Sequence, residues 1–132
     1  MTTRIQLRRT KGWRKPANAV SIARPGPFGN PFIIRLQPVG WGTPKRRGWF
    51  VRELYDGLPC QTWGPWGTKI NAARCAVLLY REWISKPEQL DLRNNIRDVF
   101  GHDEMIPACW CKPGDPCHAT VIEEIAATEI ED

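Results

Sequence analysis

The sequence predicts a small three-layer α/β domain with a short mixed or parallel sheet, flanking helices and an inserted β-hairpin. Three observations lead to this prediction. The chain has 132 residues, the usual size of one domain. Short apolar runs bounded by Gly and Pro are followed by two segments of helical periodicity. A final apolar run then leads through a turn into an amphipathic helix, an order typical of α/β sandwiches.

Strands are predicted in the first half of the chain. Residues 19–23 form a short apolar run that stops at Arg24-Pro25-Gly26-Pro27, and residues 33–36 follow as a second strand. A Trp/Gly/Pro-rich insert occupies about residues 37–68. Within it, residues 49–55 and a return strand near 60–63 flank Asp56-Gly57, a hairpin turn signal.

Two helices are predicted next. Residues 69–84 place apolar side chains at spacings of three and four, with Thr68 as N-cap. The inward face comprises Ile70, Ala73, Val77, Tyr80 and Ile84. A capping box at residues 85–88 is expected to start a second helix over 87–100 that ends at Gly101. Its inward residues are Leu92, Ile96 and Val99.

The segment 105–130 is predicted to be the functional centre. Residues 105–111 are apolar enough for a buried strand, residues 112–116 form a turn, and residues 118–130 form an amphipathic helix. The inward residues of this helix are Val121, Ile122, Ile125 and Ile130. The turn would lie at the carboxyl end of a strand, where open α/β sheets place their ligand sites.

Cys109, Cys111, Cys117 and His118 leave three functional hypotheses open. Four soft or borderline ligands suit tetrahedral zinc, although no paired Cys-x-x-Cys is present. Alternatively, Cys117 is a nucleophile at a helix start, with His118 or another group as its base. In the third hypothesis these residues line a ligand pocket, and His118 and the helix N-terminus hold an anion. Small buried cysteines without a function are the alternative to all three. No cofactor is firmly implied; zinc is the candidate.

The loop 24–32 is the second candidate site. Arg24 ends a strand and is suited to bidentate phosphate binding, and Gly29-Asn30 exposes backbone N–H groups. We expect this loop to face the Cys/His turn. The predicted ligand-binding residues are Arg24, Gly29, Asn30, Phe32, Cys109, Trp110, Cys111, Lys112 and His118.

Charge is distributed unevenly along the chain. Residues 1–52 carry 12 Lys or Arg and no Asp or Glu, whereas residues 53–132 carry 7 basic and 14 acidic residues. Either the first part meets a polyanion or the two parts attract each other. Residues 1–15 are expected to be a basic arm before a domain at 16–132. The predicted nucleic-acid contacts are Arg8, Arg9, Lys11, Trp13, Arg14, Lys15, Arg46 and Arg47, where aromatic and basic residues alternate.

The chain has neither a long apolar run nor a secretory signal pattern. Its five cysteines, an odd number, favour reduced thiols. We therefore expect no membrane contact and a cytoplasmic location, in the host cytoplasm if the protein comes from a bacteriophage.

Several blocks resemble the domain of unknown function 4326 family. These are residues 16–20 with Arg24-Pro25 and Gly29-Asn30-Pro31-Phe32, the helix at 76–84, and Cys109-Trp110-Cys111-Lys112-Pro113 with Pro116-Cys117-His118-Ala119. The resemblance covers about residues 16–127 and implies an actinobacterial or bacteriophage protein. The closing Cys-His turn is also similar to that of the domain of unknown function 488 family, which suggests a role involving nucleotides.

The leading functional prediction is an accessory protein that binds a nucleotide or nucleic acid through the anion site and the basic arm. One alternative is a small hydrolase or transferase acting on a nucleotide or modified base. Another is a phage protein that inhibits a host protein through Trp41, Trp49 and Trp66 of the insert.

Overall fold

The structure, a computed structural model, describes residues 4–24, 26–40, 46–55, 58–101, 105–112 and 114–131. Within these ranges the chain forms two three-stranded sheets and three α-helices, so the predicted α/β class is confirmed. The Asp56-Gly57 turn and Trp41 lie outside the described residues. None of the described helices is long and apolar enough to cross a bilayer.

The elements follow one another without long gaps. In chain order they are β1 (Ile5–Gln6), β2 (Ala19–Ser21), β3 (Phe32–Pro38), β4 (Arg47–Tyr55), β5 (Leu58–Trp66), α1 (Lys69–Ile84), a 3₁₀ turn (Pro87–Gln89), α2 (Leu90–Phe100), β6 (Ile106–Cys109) and α3 (Ala119–Ala126).

The first sheet is parallel and has the order β1-β6-β2, with β6 in the centre. Pro107 lies in the central strand and has no N–H to donate, but the residues beside it form the hydrogen bonds between the strands. Ile106 N–H donates to Asn18 O at 2.9 Å. Ile22 N–H donates to Ala108 O at 2.8 Å and extends the pairing past the end of β2. The strand β1 lies within the segment predicted as an arm, so this part of the arm belongs to the sheet.

The second sheet is an antiparallel meander, β3-β4-β5. The hairpin predicted at residues 49–63 is confirmed and is longer than expected. Its first strand, β4, also pairs with β3. The segment predicted as an insert is therefore part of a three-stranded sheet that begins with β3. Helix α1 packs on this sheet, and α3 packs on β6.

Helix α1 has the predicted bounds, and the Thr68 side chain accepts a hydrogen bond from Asn71 N–H. Its buried residues are Ala72, Ala76, Tyr80 and Ile84. The prediction that Ile70 faces inward is wrong: Ile70 is 48% exposed. The buried stripe runs at steps of four from Ala72, which turns Ile70 out of the interface.

The predicted capping box before α2 is wrong. Ser85 ends α1 instead, where its hydroxyl donates to Arg81 O at 2.7 Å. Residues 87–89 form a 3₁₀ turn without a side-chain cap. The guanidinium of Arg93 donates to Ile84 O and Lys86 O, so this side chain satisfies the carbonyls between the two helices. Gly101 ends α2 as predicted.

Helix α3 is shorter than predicted and ends at Ala126. Val121 and Ile122 are buried as expected, but Ile130 is 63% exposed, so its predicted inward position is wrong. The chain leaves the helix so that Glu131 can reach α2. There its carboxylate pairs with Arg93 at 2.7 Å and with Arg97 at 2.6 Å.

The ion pairs of Glu131 make the fold less stable when the pH becomes acidic. Hydrogen bonds from Arg93 and Arg97 lower the pKa of Glu131 from 4.5 to about 2. Because the pKa is depressed in the folded state, the stabilisation is complete above pH 4.5 and is lost as the pH falls towards 2. We expect Glu131→Gln to lower the Tm at pH 7, with the difference from wild type vanishing near pH 2.

Glu129→Gln is the matched control, because Glu129 is exposed and makes no ion pair within the described residues. Thermal denaturation between pH 2 and 7 measures both variants. A constant Tm difference for Glu131→Gln over this range would contradict the assignment.

Candidate functional site

A pocket of about 310 Å³ lies where the β2–β3 loop, the end of β6 and the start of α3 meet one face of α1. Its lining combines thiols, one arginine, amide and imidazole groups with apolar walls. The lining residues are Ala23, Arg24, Asn30, Phe32, Ile34, Ala73, Ala76, Val77, Cys109, Trp110, Cys111, Pro116, Cys117 and His118. The expected meeting of the loop 24–32 with the Cys/His turn is therefore present.

Three thiols converge on one side of this pocket. The Sγ atoms of Cys109, Cys111 and Cys117 all lie within 4.8 Å of one another, and those of Cys109 and Cys117 are 3.2 Å apart. Cys109 is the last residue of β6, and Cys111 lies two residues further along the chain. Cys117 approaches them from the start of α3. The group could hold a metal ion.

His118 is buried and has a defined tautomer. Its Nε2 lies 2.8 Å from Ile22 O and 3.1 Å from Phe28 O. Both partners are carbonyls, which only accept, so Nε2 carries the proton and donates to both. In the neutral ring, Nδ1 is then a free acceptor, and it lies 3.9 Å from Cys117 Sγ. The only N–H of the imidazole is thus used by two backbone carbonyls and is not available to donate a hydrogen bond to a ligand in the pocket.

The three thiols differ in acidity. Hydrogen bonds from Cys109 and Cys111 lower the pKa of Cys117 most, and the Ala119 N–H at the start of α3 lowers it further. The hydrogen bonds within the cluster and burial raise the pKa of Cys111. One thiol of the group therefore ionises before the others, and the position at the helix start makes Cys117 that thiol.

A buried hydroxyl lies beside this group. Tyr80 is fully buried, its ring centroid lies 5.0 Å from that of His118, and its OH has no hydrogen-bond partner among the described residues. Burial and the negative charge of Cys117 raise the Tyr80 pKa, so the phenol stays protonated. An unpaired buried hydroxyl of this kind costs about 1–3 kcal/mol of stability.

The opposite wall of the pocket is the loop after β2. Arg24 Nη1 donates to Asn30 O at 2.5 Å, and Asn30 anchors the loop. The Asn30 Oδ1 accepts from Phe32 N–H at 2.9 Å, and Nδ2 donates to Ala76 O at 3.3 Å. Gly29 is needed for close approach, since a Cβ there would lie 2.8 Å from Arg24 Cγ and 3.0 Å from Arg24 Cα.

A family model described as a domain of unknown function, DUF4326, matches residues 5–128. The chain belongs to this family. No curated protein and no solved structure matches it. The match contains the Gly29–Phe32 block and the Cys109–His118 turn, so the DUF4326 resemblance predicted from these blocks is confirmed.

The DUF4326 pocket contains most of the predicted ligand-binding residues. Seven of them line it, and Gly29 and Lys112 do not. Gly29 allows the close approach of the Arg24 side chain. Lys112 O accepts a hydrogen bond from Arg4 Nη2 at 2.5 Å, which fixes the turn after β6 to the N-terminal segment. In the basic segment, the Arg9 guanidinium lies 4.9 Å from the Trp110 ring centroid. Neither Arg9 nor any other of the predicted nucleic-acid residues lines the pocket itself.

The prediction missed the wall that α1 contributes. Ala73, Ala76 and Val77 line the pocket, and Tyr80 lies behind them. The sequence carried a signal for this wall: two alanines on one helical face leave space that larger side chains would fill. Ile34 and Pro116 carried no comparable signal. The catalytic roles of Cys117 and His118 stay a prediction.

Asn30 should be essential to the loop that carries Arg24. We expect Asn30→Ala to lower the free energy of unfolding by about 1–3 kcal/mol, because Phe32 N–H loses its partner in a buried position. Chemical denaturation measures the effect. Asn71→Ala on the exposed start of α1 is the control, with an expected change below about 0.5 kcal/mol. Equal effects would show that Asn30 has no special anchoring role.

Proposed function

We propose that this DUF4326 protein binds a nucleotide, either free or as part of a nucleic acid, in the pocket between Arg24 and the Cys/His turn. The observation that carries the proposal is the placement of an arginine, an apolar slot and a polar thiol floor around one cavity of about 310 Å³. This volume is at the lower end of the range of about 300–1,000 Å³ for ligand pockets, which favours a mononucleotide over a dinucleotide.

Two arginines near the pocket supply charge for a phosphate. Burial and the nearby positive charge of Arg35 lower the pKa of Arg24. Neither arginine makes an ion pair within the described residues. An anion bound at Arg24 would offset this repulsion and accept the guanidinium donors that Asn30 O leaves free.

The distribution of ion pairs supports a polyanionic or phosphorylated partner. Within the part of the chain that the structure describes, the ion pairs join Arg81 to Glu124, and Arg93 and Arg97 to Glu131. All of these residues lie beyond position 52. Among the described residues, no such pair joins the basic first part to the acidic second part, and Arg4 interacts with Glu123 only at longer range. The charge of Arg24 and Arg47 is therefore available to attract an anion.

The apolar walls suit the uncharged part of a nucleotide. Phe32, Ile34 and Val77 face the slot from β3 and α1, and Trp110 lies at the end of β6 with 47% of its surface exposed. A base would fit between these walls with the phosphate at Arg24. In this arrangement the negative charge of the Cys117 thiolate lies on the pocket floor, away from the phosphate.

A second proposal concerns the three thiols, for which we infer zinc as the metal. Zn–S bonds of about 2.3 Å in a tetrahedron require sulfurs about 3.8 Å apart. The 3.2 Å between Cys109 and Cys117 and the 4.8 Å limit for the group bracket this value. Zn²⁺ bound by three thiolates has a net charge of −1, the same as the Cys117 thiolate alone. Arg24, on the opposite wall of the pocket, therefore faces the same charge whether or not zinc is bound.

The compartment follows from the thiols and from the resemblance. Free Cys109, Cys111 and Cys117 persist where glutathione or thioredoxin keeps thiols reduced. The proposal therefore places the protein in the cytoplasm of an actinobacterium, encoded by the cell or by one of its bacteriophages.

Nucleotide binding is tested by calorimetric titration with the four ribonucleoside monophosphates, their nucleosides and inorganic phosphate. We expect a monophosphate to bind more tightly than its nucleoside. Arg24→Gln should weaken its binding by about 10- to 100-fold, since a charge-assisted hydrogen bond contributes about 1.5–3 kcal/mol. Arg81→Gln is the control, because Arg81 pairs with Glu124 on the exposed surface. Equal affinity of wild type and Arg24→Gln would refute the proposed role of Arg24.

Zinc binding is tested by the metal content of protein purified from zinc-supplied cells. We expect about one zinc per chain, lost in Cys111→Ser and retained in Cys75→Ser, because Cys75 is a free thiol outside the group. Little zinc in the wild type, together with unchanged circular dichroism in a chelator, would argue for a metal-free cluster.

A further inference from the structure

The face of the antiparallel sheet that carries the pocket wall continues beyond the pocket. Cross-strand partners lie on the same face of a sheet. Ile34 pairs with Val51, and Val51 with Trp63. The next row is Leu36, Trp49 and Trp66, and the β4–β5 register shifts by one residue between the two rows. Successive side chains on one face are about 7 Å apart along a strand, so this row begins one step beyond the pocket-lining Ile34.

This second row is not covered as the first one is. Val51 is fully buried, whereas Leu36 is 45% and Trp66 is 37% exposed. Ile70, in the first turn of α1, is 48% exposed. We call these three exposed residues, together with Trp49, the shelf; Trp49 itself is half-buried and packs against the core. An exposed apolar surface of this kind marks a site for a partner.

Basic residues surround the shelf. The Lys69 Nζ lies 5.7 Å from the centroid of the Trp49 ring. Arg47, two residues before Trp49 on the same face of β4, is exposed, as is Arg46. The first turn of α1 contains no acid, and the nearest acid on β4 is Glu53, on the pocket side of Val51.

We propose that the shelf binds single-stranded nucleic acid and leads one nucleotide of the strand into the pocket. Bases stack on exposed tryptophans, and phosphates meet the adjacent cations, which is how proteins bind single strands without reading their sequence. This proposal rests on the proposed nucleotide-binding function for its pocket end. It narrows the ligand from any nucleotide to a strand that runs from Arg47 past Trp66 and Ile34.

A duplex and a protein partner fit this face less well. The aromatic groups need the face of an unpaired base, which a duplex buries in its stack. A protein partner would have to present acidic groups to Arg46, Arg47 and Lys69 in place of phosphates. The continuity of the shelf with a nucleotide-sized pocket favours a strand over a protein.

The test is fluorescence anisotropy with labelled 12-nucleotide strands of deoxythymidine and of uridine, with a duplex of the same length for comparison. We expect both single strands to bind more tightly than the duplex or a mononucleotide, and to quench tryptophan fluorescence. Trp66→Ala should weaken strand binding by about 5- to 100-fold, and Trp66→Phe should restore much of it. Arg47→Gln should weaken binding and reduce its dependence on salt.

Two controls separate the shelf from the pocket. Leu78→Ala removes another exposed apolar side chain, 59% exposed, and should leave strand binding unchanged. The shelf variants should also keep the mononucleotide affinity that Arg24→Gln loses.

Single strands that bind no better than a mononucleotide, or that bind Trp66→Ala as wild type, would overturn the shelf proposal while nucleotide binding in the pocket stands. Strand binding lost in the shelf variants but unaffected by Arg24→Gln would overturn the delivery of a nucleotide to the pocket. Binding of neither strand nor mononucleotide would overturn both proposals.

Discussion

One buried imidazole ties together the two segments that form the pocket. The single N–H of His118 is shared by Ile22 O, just after β2, and Phe28 O, within the loop that carries Arg24. These partners lie 96 and 90 residues away in the sequence. Because this proton is held by backbone carbonyls, the other ring nitrogen faces Cys117 as an acceptor. The positions of Arg24 and of the thiol cluster therefore depend on the same side chain.

The charged residues of the two halves of the chain have different roles. In the second half of the chain, Arg81 pairs with Glu124, and Arg93 and Arg97 pair with Glu131 and so join α2 to the segment after α3. The first half keeps its cations free of such pairs within the described residues, and it places Arg24 at the pocket and Arg47 on the sheet face beside it. Stability and ligand attraction thus use different sets of arginines, so a change at one set should leave the other intact.

Local patterns in the sequence predicted much of the fold but not its pairing. The helical spacing from Lys69 to Ile84 and the Thr68 cap are local signals and were predicted correctly. Parallel pairing of β1 and β2 with β6 depends on contacts across about 100 residues, which no local pattern encodes. For the site, the Gly29–Phe32 block and the Cys/His turn were recognisable by type. The role of His118 as a bridge between carbonyls was not, because backbone acceptors leave no trace in the sequence.

The central claim is that the cavity between Arg24 and the Cys/His turn is where a nucleotide binds. A proton–nitrogen NMR titration of the isotope-labelled chain with a mononucleotide tests it most directly, since it locates binding residue by residue. The claim predicts saturable shifts that are largest at the Arg24 side-chain N–H, the Asn30 side-chain amide and the Cys111 backbone N–H. Shifts that do not saturate, or that cluster around Glu131 and α2 instead, would contradict it.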